Sequence, residues 1–112
     1  MNLGWGLVSF LLIVALMTIG KGFFAGSNIA RRPDGSGDDG FPSGHAALAT
    51  GLAVIALLMG LSWQIVLLLA IVAVVVSWQR IATRAHSETQ VVAGNVLGVG
   101  VPVIIAFATR SF

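Results

Sequence analysis

Four long apolar runs, separated by two polar stretches and one very short turn, organise this chain. The first, Leu3 to Gly20, carries no charged residue, and about 18 residues at roughly 1.5 Å each nearly cross a hydrocarbon core of about 30 Å. The second begins near Gly44 or Ala46 and continues through Gly60, and the third occupies Trp63 to Trp78. Only GLSW joins them, and so short a link predicts an antiparallel helical hairpin. The fourth, Thr89 to Thr109, contains GNVLGVGVP, where glycines permit close helix approach and Pro102 permits a kink. Gly94 and Gly98 make a GxxxG pattern, expected to serve tight packing inside one bundle ahead of a dimer seam. A cleaved signal peptide is the competing reading of the first run. It is disfavoured by the absence of a basic segment before the run and of a small-x-small site after it.

Composition turns these runs into membrane spans. Of 112 residues 57% are hydrophobic and 9% charged, against about 25% charged in an average soluble domain. The expected fold is all-α, a membrane bundle of about four transmembrane helices in a single domain spanning residues 1–112. Its polar loops lie at about residues 21–43 and 79–88. The net charge of +2 comes with no basic run and no aromatic-basic interleaving, so a nucleic-acid partner is set aside. No cysteine is present, which excludes disulfides and thiolate metal sites, and two histidines without a companion cluster do not make a structural zinc site.

If the first run ends on one side of the bilayer, the second and third go over and back, and both polar loops emerge on the same face. Trp5, Trp63 and Trp78 fall near the ends of the runs, where interfacial tryptophan is favoured. Five of the six basic residues would lie on the loop side, which positive-inside reasoning makes cytoplasmic. Basic residues kept for an anion would break that rule, and charge counting does not separate the two explanations.

The two loops together bring Arg31, Arg32, His45, Arg80, Arg84 and His86 to one membrane face, an anion site by composition. The planar fork of arginine suits phosphate oxygens, and PSGH leading into an apolar helix sets backbone N–H groups at a helix N-terminus. Two imidazoles can divide a phosphoryl transfer, one attacking phosphorus and the other protonating the leaving oxygen. Taken singly, a boundary histidine is an interfacial polar residue and an arginine near a span end snorkels to headgroups. Their joint placement on one face is what favours a site.

The elements RRP, FPSGH and RIATRAH resemble, in order, the three signature motifs of the type 2 phosphatidic acid phosphatase superfamily of membrane lipid phosphate phosphatases. PSGH is complete at Pro42, Ser43, Gly44 and His45. The third motif, SR, five residues, H, three residues, D, is met by Arg80 and His86, with Gln79 in place of the serine and Gln90 in place of the aspartate. The resemblance covers roughly residues 31–98. It implies His86 as the nucleophile forming a phosphohistidine, His45 as the general acid, and Arg32, Arg80, Ser43 and Gly44 as a phosphate cradle, with Arg31 beside it. It implies no metal or other cofactor.

Three departures accompany it. The lysine that the family places seven positions before the arginine of RP is Ala25 here, while Lys21 lies eleven before Arg32 and reaches the site only if GFFAGSNIA folds back. Gln90, at i+4 from His86, shares a helical face with it, and its carbonyl can accept the Nδ1–H bond without supplying a carboxylate's charge. The family core has six membrane helices against four here, so the other two are dispensable or supplied by a homo-oligomer or another protein. The function implied is hydrolysis of a lipid phosphomonoester or diphosphate, such as phosphatidate, phosphatidylglycerophosphate or a polyprenyl diphosphate. By analogy the site would sit on the outer face of a bacterial inner membrane. The alternatives are a weakened relative that binds phospholipid headgroups or a membrane partner, and a small helical channel or assembly subunit.

Overall fold

The computed structural model describes residues 1–111. They form four α-helices, α1 (Leu3–Phe24), α2 (Gly44–Leu58), α3 (Trp63–Ala82) and α4 (Glu88–Thr109), with a 3-10 turn at Asn28–Ala30 between α1 and α2. Among the described residues there is no strand. Helices α1, α3 and α4 are long and apolar enough to cross a membrane. The bundle measures 40 Å along its longest axis, which accommodates a hydrocarbon core of about 30 Å with polar ends.

Helix α2 departs from the expected span through Gly60. It has 15 residues, which at 1.5 Å per residue gives about 22 Å, short of a full crossing. Met59 closes it, and the chain reverses at Gly60, whose φ of +74° is the left-handed value glycine adopts freely. Ser43 opens it, its Oγ accepting from the Ala46 N–H. This short helix is the centre of the bundle, packing against α1, α3 and α4. Its buried face is built from Ala46, Ala47, Gly51, Ala53, Ile55 and Ala56. Small residues let helices approach closely where lipid offers no hydrophobic drive for association.

The closest approach is between α2 and α4. A Cβ on Gly94 would strike the carbonyl of Ser43, and one on Gly98 the carbonyl of Ala47. The GxxxG pair therefore packs inside the bundle. Deeper in the membrane zone Thr50 Oγ1 donates to Asn95 Oδ1 at 2.7 Å and Asn95 Nδ2 donates to Ser77 Oγ at 3.2 Å, tying α2, α4 and α3 together. Helix α3 buries only Ala73 and turns Leu67, Leu68, Ile71, Val74 and Val75 outward, as lipid contact requires.

The first helix runs past its predicted end at Gly20 to Phe24. Its buried residues Gly6, Ser9, Ile13 and Met17 form one stripe at three- and four-residue spacing, and Lys21 is the next position on it. The stripe packs on the core of Ile13, Met17, Ala47 and Val101 and carries the Lys21 side chain to the end where the loops meet.

Candidate active site

Both polar loops lie at one end of the bundle and are bonded to each other. Asp34 N–H donates to Arg84 C=O at 2.9 Å, Ser43 N–H to Gln90 C=O at 2.9 Å, and Arg32 Nη1 to Ala85 C=O at 3.4 Å. Between them lies a cavity of about 220 Å³ lined by Lys21, Arg32, Gly44, His45, Leu48 and His86. A water occupies about 30 Å³ of liquid, so the cavity has ample room for a phosphate group. Among the described residues no carboxylate lines it, while a lysine, an arginine and two imidazoles do.

Each member arrives by a different route. Gly44 and His45 open α2, so their N–H groups belong to the first turn, where amides lack intrahelical partners and a helix N-terminus favours anions. Lys21 comes from the last turn of α1, its Nζ donating to the carbonyls of Asp39 at 3.0 Å and Pro42 at 2.9 Å. The segment 22–30 does turn back, through Gly26 (φ +81°) and the 3-10 turn, and brings Arg32 to the same cavity. Arg32 is set by Asp39, whose Oδ1 accepts from Nε at 2.9 Å, and the guanidinium beside Asp39 holds that exposed carboxyl below its usual range.

His86 sits on the tight turn between α3 and α4, formed with Arg84 in the left-handed region (φ 61°), and its N–H donates to the Arg80 carbonyl. The side chain is buried at 2% exposure. Its Nδ1 faces two acceptors, the Gly40 carbonyl at 2.9 Å and Gln90 Oε1 at 3.2 Å, and its Nε2 lies 3.4 Å from Arg32 Nη1. Two acceptors on one side and a permanent donor on the other fix the tautomer. The proton is on Nδ1, and Nε2 presents a lone pair toward the cavity. Burial, and next the Arg32 charge, lower the His86 pKa from its ordinary 6.5 to about 4, so the ring is neutral at physiological pH.

Gln90 is wholly buried and has several partners. Its Nε2 donates to the carbonyls of Ile29 at 2.9 Å and Arg31 at 2.8 Å, and its Oε1 accepts from Ser87 N–H at 3.0 Å as well as from His86. With Ser87 Oγ accepting from the Gln90 N–H, residues 87 and 90 close a capping box on α4.

His45 differs from His86. It is exposed, and among the described residues no hydrogen bond fixes its ring. Three residues expected at the site do not line the cavity. The Arg31 side chain is exposed, and that residue contributes only its carbonyl, to Gln90. Ser43 is buried as the cap of α2. Arg80 stands outside the lining with a buried Nε that has no partner among the described residues, while its charge acts on both imidazoles. Lys21 is the member whose sequence position argued against it, and the signal for it was the α1 stripe. Gly40 was missed, since a backbone carbonyl leaves no residue-type signal.

A family model described as the PAP2 superfamily matches residues 4–110. The chain belongs to the PAP2 superfamily. No curated protein and no solved structure matches it. PAP2 proteins are in the main phosphatases, which at that coarse level makes this a hydrolase family. Against the family pattern, the cavity holds a lysine delivered from α1 and an arginine from RRP. It also holds an imidazole whose Nδ1 is met by a backbone carbonyl and an amide instead of a carboxylate.

Proposed function

We propose that this PAP2 member is a membrane lipid phosphate phosphatase that works through a phosphohistidine. The observation that carries the proposal is the convergence of His86 Nε2, the His45 ring, Arg32, Lys21 and the first turn of α2 on one cavity at the end of an apolar bundle. A lipid headgroup fits this position best, because α1, α3 and α4 expose long apolar faces and the cavity lies at their polar end.

In the first step the His86 Nε2 lone pair attacks phosphorus, the Nε2–P bond forms as the P–O bond to the lipid breaks, and protonated His45 gives its proton to the departing oxygen. Water then attacks phosphorus with His45 taking its proton, the Nε2–P bond breaks, and inorganic phosphate leaves. Arg32, Lys21 and the Gly44 and His45 amides are placed to stabilise charge on the equatorial oxygens. The Nδ1–H of His86 stays bonded to Gly40 throughout and steadies the positive charge that the ring gains on attack.

The test is a phosphate-release panel with the purified chain in detergent, covering phosphatidate, phosphatidylglycerophosphate and a polyprenyl diphosphate. Wild type is expected to release phosphate from at least one, vanadate to inhibit it, and His86→Ala to abolish it. Equal release by wild type and His86→Ala would refute the proposal.

A further inference from the structure

The position at which the family motif carries aspartate is Gln90, and its amide is committed to work a carboxylate could not do. Both Nε2 hydrogens are used on the carbonyls of Ile29 and Arg31, at 2.9 and 2.8 Å. An oxygen in that place would face two carbonyl oxygens with no proton between them. Those bonds strap the 3-10 turn and the residue that closes it against the start of α4. The strapped turn then delivers Gly40, whose N–H donates to Ala30 C=O at 2.7 Å and whose carbonyl makes the shorter of the two contacts to His86 Nδ1. Gly40 is buried, and a Cβ there would come within 2.7–2.9 Å of the three terminal atoms of the Gln90 side chain. That amide cannot swing aside without giving up its bonds to Ile29, Arg31, Ser87 and His86.

We propose that Gly40 and Gln90 are a paired positioning device: the Gly40 carbonyl orients His86 and fixes its Nδ1–H tautomer, and the Gln90 amide holds Gly40 there in place of a motif carboxylate. The device rests on the phosphatase reading for its purpose, although the geometry stands without it. Among the described residues no anion is bonded to His86. The charged groups acting on the ring are Arg32, Lys21 and Arg80, with Asp39 held on Arg32, so the site keeps a neutral nucleophile surrounded by cations. A carboxylate at position 90 would hold a proton on the ring more tightly, leave the strap unmade, and reduce the fraction of ring free to attack.

The test uses the full chain in detergent with 15N-labelled histidine, His45→Asn assigning the two rings. In wild type His86 is expected as the Nδ1–H tautomer, neutral down to about pH 4. Gly40→Ala is expected to lose that fixed tautomer, whereas Gln90→Glu is expected to keep a proton on Nδ1 through its carboxylate and to lose the strap on Ile29 and Arg31. In the phosphate-release assay both variants lower kcat on the order of 10- to 100-fold with KM little changed. Gln90→Glu also moves the acid limb of the rate profile upward in pH. Because the two residues act as one device, Gly40→Ala added to Gln90→Ala should cost nothing further. The proposal is overturned by an Nε2–H tautomer in wild type, by Gln90→Glu or Gln90→Asp turning over faster than wild type, or by additive losses in the double variant. The tautomer is read without turnover. An inert wild type with Nδ1–H keeps the device and removes the phosphatase reading, and an active wild type with Nε2–H does the reverse.

Discussion

The seam between α2 and α4 and the outer face of α3 are both apolar helix surfaces, yet they do opposite work. At the seam backbone meets backbone: Gly94 lies on the Ser43 carbonyl, Gly98 on the Ala47 carbonyl, and Ser43 N–H bonds to Gln90 C=O. His45 begins one of those helices and the His86 clamp begins the other, so the spacing of the two helix starts is set by a contact in which backbone carbonyls stand directly against glycine. Helix α3 buries a single residue and meets its surroundings with branched aliphatic side chains. The lesson is that the site inherits its precision from the seam, while α3 supplies a wall, the Ser77 bond to Asn95 and the Arg80 charge.

The sharpest way to break this contrast is Gly98→Leu, which forces a side chain into the Ala47 backbone. A loss of about 3 kcal/mol or more is expected, with phosphate release falling together with folded yield. Denaturation in mixed micelles measures it, and a variant of wild-type stability would show that the seam is looser than described. Next in size is Lys21→Met, which keeps the stem on the α1 stripe and removes the ammonium from the cavity. A charge-assisted bond of about 1.5–3 kcal/mol corresponds to a KM raised roughly tenfold or more, with folded yield preserved; an unchanged KM would take Lys21 out of phosphate binding. Smallest is Val74→Leu on the outer face of α3, where a change within about 0.5 kcal/mol is expected and activity is retained. A large loss there would mean that another helix covers α3.

The behaviour of His86 with pH follows from the same burial. Its folded pKa of about 4 lies below the ordinary 6.5, so the folded state binds this proton less readily than the unfolded chain. The stability tied to its neutral form is complete above about pH 6.5, declines as pH falls from there, and is lost once pH has passed through about 4. On the proposed mechanism, the same titration removes, on the acid side, the Nε2 lone pair with which His86 attacks.

Much of this was legible before any coordinates. Apolar runs predicted four helices, of which α1, α3 and α4 are of span length and α2 is shorter; the two polar loops do meet at one end of the bundle, and PSGH predicted a helix start that Ser43 does cap. Two boundaries moved for local reasons. Helix α1 continues because nothing in GKGFF stops it before Gly26 turns, and α2 ends early because Gly60 takes a left-handed turn. Gln90 is expected beside His86 from a shared helical face; the two do meet, but His86 lies on the turn before α4, and it is the position of Gln90 in the first turn of α4, fixed by the capping box with Ser87, that brings its Oε1 to Nδ1.

What the sequence determined by itself was therefore everything carried by periodicity and residue type: a helical membrane-type bundle, two loops facing each other, and histidines and arginines of the right kind to meet a phosphate. Tertiary structure alone decided which cation fills the gap left by Ala25, since Lys21 reaches the cavity only because one face of α1 packs onto α2. It alone decided that a Gly40 carbonyl meets His86, because every residue has such a carbonyl and only the folded loop determines where it points.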